Sequence, residues 1–371
     1  MHRRRFVAAG FGLMALAAGQ GLVGPFNRAR LRAQPANAPP GAGPPQGKWI
    51  RLAAFPQATG ELLGAAVNGK LYATQGLLPG FKPAGLVYEY DPARDAWMQK
   101  KPMPHPLHHA AVTVQDGKMY LFGGFDLPPS GPPGWNPLND AWEYDPASDI
   151  WRALAPMPTA RGGGVAAVVG GKFYVIGGAG PTPEASAPTI RPRQPQRSLG
   201  AVEEYDPRSN TWRARSPLPT PCNHMGSEAL NGKIYVIGGR LSGAFIIGLP
   251  GNINLVQAYD PAADSWVTKT PMPTARSGLN TASLNGIIYA AGGEVQDDKY
   301  LAAYRAFEAY DPASDTWWQL PSMLLPRHEC IMAAVGNRIH VAGGTVQSAI
   351  VPLPKGLSFD TDSHEAFEVA S

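Results

Sequence analysis

Apolar residues along this chain come in short blocks separated by turn chemistry. Between Trp151 and Gly178 the order is Trp-Arg-Ala-Leu-Ala-Pro-Met-Pro-Thr-Ala-Arg, then an apolar block from Val165 to Val169. A Gly170-Gly171-Lys172 break follows, then Phe173-Tyr174-Val175-Ile176, stopped by Gly177-Gly178. β-Branched and aromatic residues on either side of a glycine-bearing break predict two short antiparallel strands around a tight turn, because glycine takes positive φ without steric cost. One such hairpin would not stand alone in water. The chain repeats it.

Tyr-Asp-Pro recurs at Tyr90, Tyr144, Tyr205, Tyr259 and Tyr310, and Trp97, Trp151, Trp212, Trp266 and Trp317 stand at one fixed offset after them. Pro-x-Pro follows at Pro102, Pro156, Pro217 and Pro271, with Pro321 and Pro326 as a looser version. Glycine pairs close the second block at Gly123-Gly124, Gly177-Gly178, Gly238-Gly239, Gly292-Gly293 and Gly343-Gly344, and Gln75-Gly76 is a degenerate sixth. The period is close to the roughly 50 residues of a kelch repeat.

These residues resemble the kelch family over about residues 48 to 371. The resemblance implies an all-β, six-bladed β-propeller in which each repeat is a four-stranded blade. Asp-Pro starts a turn by fixing φ, the Trp covers the outer part of a blade, and the glycine pair lets backbones approach closely. The last repeat ends at Glu365-Ala366-Phe367-Glu368-Val369 without a Tyr-Asp-Pro or a Trp, whereas Trp49 to Pro56 has the Trp and the Pro but nothing before them. The segment around Trp49 is therefore expected to complete the last blade and leave no free sheet edge.

The first 33 residues are expected to be a separate export signal. Met1-His2-Arg3-Arg4-Arg5-Phe6-Val7 leads into an uncharged Ala/Gly/Leu-rich stretch from Ala8 to Val23, the arrangement of a basic start and an apolar h-region. The Arg3-Arg4-Arg5-Phe6-Val7 run resembles a bacterial twin-arginine leader, with His2 where Ser or Thr is usual. An ordinary secretory signal and an uncleaved anchor are the alternatives, and cleavage after Ala33 or Ala38 is open. Residues 34–47 read as a Pro/Ala/Gly-rich linker. Removing residues 1–33, with six arginines and no acid, takes the formal charge from +4 to −2. The apparent basicity thus says nothing of nucleic acid, and no basic patch interleaved with aromatics is present. The expected molecule is periplasmic or extracellular, monomeric, and free of the membrane unless the leader stays on.

Long connections between second and third strands fall on one propeller face: 77–85, 125–139, 179–200, 240–254, 294–305 and 345–363. A rigid scaffold with long loops on one face suits a binding site. The Pro-rich stretch Pro181–Arg197, with Arg191, Arg193 and Arg197, is expected to be a mobile cover. One ring of equivalent positions is occupied by Thr59, Leu107, Arg161, Cys222, Arg276 and Arg327. Arg161, Arg276 and Arg327 at the channel mouth suit bidentate capture of a carboxylate or phosphate; bracing of neighbouring loops is the competing role. His108, His109, Asn223, His224, Glu228, His328 and Glu329 are their polar neighbours, with Arg240 and Glu294 just past glycine pairs.

No cofactor and no metal are expected, since the histidines show no His-x-x-x-His pattern and no carboxylate-rich loop is present. The features of the related galactose-oxidase-like copper enzymes, a Tyr-His pair among them, are missing. Cys222 and Cys330 are expected to be buried free thiols. The resemblance implies first a binding module for a protein or another ligand such as a glycan. A second implied reading is an enzyme on an acidic sugar, resembling the exported kelch sialic acid mutarotases. Arg276 and Arg327 would then hold the carboxylate, with Glu329 and His328 as its proton-transfer groups. A structural part of a cell-envelope assembly is the third.

Overall fold

The computed structural model describes residues 43–78, 82–130, 134–185, 188–191, 195–245, 251–296, 300–348 and 359–370. The expected leader and most of the linker lie outside them. Every regular element among the described residues is a strand. Five antiparallel sheets are built from consecutive strands. Blade 1 runs from Leu63–Val67 out to Ala96–Gln99, blade 2 from Ala111–Gln115 to Ile150–Ala153, and blade 3 from Val165–Val169 to Thr211–Ala214. Blade 4 runs from Gly226–Leu230 to Ser265–Lys269 and blade 5 from Ser277–Leu284 to Thr316–Gln319. The innermost strands pack against one another all the way round, the sixth against the first.

Blade 6 joins the two ends of the chain. Ile331–Val335, Arg338–Ala342 and His364–Val369 supply three strands, and Gly47–Arg51 supplies the outermost, with Gly47 opposite Val369 and Arg51 opposite Glu365. The strand around Trp49 closes the ring, as its orphaned Trp and Pro predict.

The strands read as near-continuous apolar runs because each sheet is sandwiched between two others. Alternate residues of one strand therefore serve different neighbours. Phe173 and Val175 pack with Tyr120 and Phe122 of blade 2, whereas Tyr174 and Ile176 pack with Ile234 and Val236 of blade 4. Six such clusters, one per blade junction, form the core.

Three repeated devices fasten blade to blade. Each motif tyrosine hydroxyl donates to an Asp or Asn five residues on, as Tyr144 does to Asp149 Oδ1 at 2.6 Å. That carboxylate also accepts the Lys101 amide of the preceding blade at 3.0 Å. The Trp151 indole donates to the Lys101 carbonyl at 3.2 Å. The second residue of each glycine pair donates its N–H to the next blade, as Gly178 does to Cys222 O at 3.0 Å. A Cβ on Gly123 would lie 2.2 Å from the Arg161 carbonyl, so only glycine fits there.

Candidate functional site

The three ring arginines do not line the channel, which corrects the expectation. Arg161, Arg276 and Arg327 are fully buried inside their blades. Arg161 Nη1 donates to Glu203 Oε2 at 2.6 Å and Nη2 to the Val175 carbonyl at 3.0 Å. Arg276 binds Glu308 and the Ala290 carbonyl, and Arg327 binds Glu365 with the Gly343 and Ser363 carbonyls. A charge taken out of water is tolerated only when paired and hydrogen-bonded. These arginines brace their blades and are not free to take a ligand.

The residues on the axis lie two positions further along. Glu61, His109, Gly163, His224, Gly278 and Glu329 are equivalent in the six blades, and all have left-handed backbone, with φ between 46° and 66°. Such a conformation costs a non-glycine residue energy and persists only where the surroundings impose it. Here a belt of hydrogen bonds imposes it. Gly163 N–H donates to His109 O at 2.9 Å, His224 to Gly163 at 2.8 Å, Gly278 to His224 at 2.8 Å, and Glu329 to Gly278 at 2.9 Å; the Leu62 N–H meets Glu329 O at 3.0 Å. The left-handed kink turns these side chains inward, where regular strand alternation would have given other positions.

Four side chains thereby converge. His109 Nε2 is 2.9 Å from Glu61 Oε2, and the rings of His109 and His224 are 4.8 Å apart. His109, His224 and Glu329 each bring one ligand-type atom within 4.8 Å of the others. Local sequence spacing does not display this cluster of metal-ligand-type groups, because its members come from three blades. Burial pushes the Glu61 carboxyl up to about 7, with Glu294 adding to the shift and His328 opposing it. Burial, then the charges of Glu61 and Glu294, lift Glu329 well above the ordinary range. Burial and Arg240 drop His109 to about 3, and burial holds His224 and His108 well below their usual value.

The same three residues close one end of an axial channel of about 470 Å³ walled by the innermost strands. Glu228 stands in that wall, accepting from Ser283 Oγ at 2.8 Å, and burial raises it to about 7. Channel-wall residues of the first strands are half-buried, whereas His109, His224 and Glu329 are buried. The channel lining runs from these three residues along the first strands, and on the insert side the Trp135 ring packs against that of His109 at 5.0 Å.

The described parts of the Pro-rich insert are tied to one another and to the insert of blade 2. Ala179–Pro181 and Gln196–Ser198 form a two-stranded ribbon, and Ile190 exchanges two backbone bonds of 2.8 Å with Trp135 of blade 2. Phe125, Trp135, Ala179, Ile190, Ala244 and Phe245 make a seventh apolar cluster across the inserts of blades 2, 3 and 4. Arg193 lies outside the described residues. Arg240 and Glu294 pair at 2.6 Å, and Ser348 Oγ donates to the other Glu294 oxygen at 2.6 Å. Burial disfavours the Glu294 charge, but His328 and Arg240 outweigh it and hold the group below its usual range. His328 Nδ1 is 3.9 Å from Glu294, and its Nε2 is 3.1 Å from the Gln347 carbonyl. Asn223 touches the cluster only through His224: its Nδ2 donates to Ser198 Oγ and Ser242 O, and its Oδ1 faces His224 Nδ1 at 2.5 Å. Glu61 was absent from the sequence candidates, although it is the blade 1 equivalent of Glu329. Cys222 and Cys330 are free and buried, as expected, with burial pushing both thiols up to about 12.

Kelch motifs match residues 106–158, 221–273 and 275–324, and a second form of the motif matches 160–219, together more than half the chain. The chain is 29% identical over 323 residues to Kelch-like protein terF of Aspergillus terreus, covering 84% of this chain and 67% of that protein. It is 28% identical over 264 residues to alpha-scruin of Limulus polyphemus, covering 70% of this chain but only 27% of that longer protein. A solved structure titled "Structure of YjhT" superposes with a TM-score of 0.64 over 84% of this chain and 96% of that one. At 17% identity that likeness is one of fold.

Proposed function

The chain belongs to the kelch-repeat family, and on that premise we propose that it is a protein-binding module whose partner docks on the insert-bearing face. The observation that carries this reading is where the exposed apolar side chains lie. Leu127, Leu241, Tyr300 and Leu301 all sit on inserts and are 41–62% exposed. Leu324 lies in a linker on the same face, whereas Met98, Ile150 and Val267 stand singly on outermost strands. Scattered apolar residues are normal on a surface, but the gathering of five of the eight exposed large apolar side chains among the described residues on one face fits recognition of a partner. Described parts of the inserts of blades 2, 3 and 4 share one apolar cluster, which lowers the ordering cost of docking there.

The reading as an enzyme on an acidic sugar is less well supported, because Arg276 and Arg327 are held by Glu308 and Glu365. We further place the module outside the cytoplasm; the support is the basic and apolar character of residues 1–33.

The test is site-directed photo-crosslinking in the producing cell. A crosslinkable residue at Leu241 or Tyr300 is expected to trap one protein partner that the same group at Val267 does not. No trapped protein from the insert positions, or equal trapping from Val267, would sink the proposal.

A further inference from the structure

We propose that His109, His224 and Glu329 form a binding site for one divalent first-row transition-metal cation on the propeller axis. Their three ligand-type atoms lie within 4.8 Å of one another, and all three side chains are buried. Metal–ligand distances of about 2.0–2.2 Å would draw them slightly inward. Two imidazoles and a carboxylate make a nitrogen-rich set that suits zinc, iron, cobalt or copper rather than calcium or magnesium.

The surroundings prepare these side chains for a ligand. Asn223 Nδ2 is committed to Ser198 Oγ at 2.7 Å and Ser242 O at 2.6 Å, which fixes its Oδ1 toward His224. That oxygen accepts the His224 Nδ1–H, leaving the lone pair on Nε2, the partner arrangement that orients a metal-binding histidine. His109 Nδ1 is engaged by His108 at 2.5 Å, so its Nε2 is the atom facing the cluster, with Glu61 beside it. Glu329 is only 6% exposed, and it lines the channel beside His109 and His224. Its carboxylate adds to the two imidazoles a third donor of the kind such a cation takes.

The backbone belt holds all three Cα atoms, so the site is preorganised. Gly163 leaves room for it, since a Cβ there would stand 2.8 Å from His224 Nδ1. Three protein ligands would leave coordination positions open, and the same three residues line the 470 Å³ channel.

The test uses the full chain without a histidine tag, stripped with a chelator and titrated with Co²⁺ and Zn²⁺. One ion per chain by elemental analysis, a visible Co²⁺ absorption band and a Tm that rises with metal concentration are expected. Asn223→Ala should weaken binding by about 10–100-fold through loss of the orienting bond. His224→Asn, which tolerates the left-handed backbone, and the isosteric Glu329→Gln should weaken it further. Absence of saturable binding by the stripped chain overturns the proposal. So does unchanged affinity in Glu329→Gln, which stands as the judge if His224→Asn fails to fold.

Discussion

The indole of Trp49 donates a hydrogen bond of 2.7 Å to the carbonyl of Pro321, 272 positions away. It is the closing member of a set in which Trp97, Trp151, Trp212, Trp266 and Trp317 each bind a carbonyl of the preceding blade. Trp49 also meets Phe307 and Phe367 edge-on, at 4.9 and 5.5 Å between ring centroids. Trp49→Phe keeps most of that packing and loses the bond, so it should cost about 1 kcal/mol. Trp49→Ala should cost roughly 2–4 kcal/mol, at or below the range for a buried Trp because the side chain is half-buried. Urea unfolding measures both. A chain lacking residues 48–56 that melts like the parent would show that the ring does not need its clasp.

Arg276 and Glu308 form a buried pair at 2.6 Å. Arg276→Ala leaves the buried Glu308 carboxylate without a charge partner, held only by the Thr274 hydroxyl at 2.7 Å, and should destabilise by roughly 3–5 kcal/mol. Blade 4 holds Cys222 and Gln257 at the equivalent positions, where the Gln257 amide bonds the Thr220 backbone. Transplanting that solution as Arg276→Cys with Glu308→Gln should recover much of the loss. A double variant as unstable as the sum of its singles would refute the idea that the two positions act as a unit.

His340 and His364 are buried together, Nδ1 to Nε2 at 3.0 Å, against Tyr90 at the junction of blades 6 and 1. Burial first, then the Arg338 charge, lowers His340 to about 4, and burial with the His340 charge lowers His364 to about 3. In the unfolded chain both bind a proton near pH 6.5. The unfolded state therefore holds more protons between those values, and stability falls as pH drops from 6.5 toward 3–4. The slope should approach at most about 1.4 kcal/mol per histidine per pH unit. The difference between unfolding free energies at pH 7 and pH 5 should shrink in His340→Asn, the remainder coming from His364 and from the buried His108, His109 and His224. A variant with the parent's full acid sensitivity would exclude the pair as the cause.

The fold was legible because its fastenings are written at fixed offsets: tyrosine, its acidic partner, tryptophan and the glycine pair each recur in register. The orphaned Trp49 even located the closing strand. The axial site was read less well. Counting back from the glycine pairs led to Arg161, Arg276 and Arg327, but the chain kinks through left-handed φ before the inner strand, and the axis falls two positions on. A second pattern could have corrected this. Arg161, Arg276 and Arg327 belong to the same blades as Glu203, Glu308 and Glu365, whereas Thr59, Leu107 and Cys222 go with Tyr88, Trp142 and Gln257. Arginine and glutamate come and go together, as intrablade ion pairs do. Convergence of His109, His224 and Glu329 depends on three blades facing one axis, which no local spacing records.

The pairing of Gly47 with Val369 also bears on how the ring is reached kinetically. Five blades are made of neighbouring segments and need only local loop closure, while the sixth needs the two ends of the chain to meet. Long-range pairing of this kind is slow. Until Glu365 to Val369 are available, Gly47–Arg51 has no partner, and the part of the apolar seam with blade 5 that Phe367 and Val369 fill stays open. The unfinished ring is thus an open-edged sheet stack, the species most prone to pair with another copy of itself.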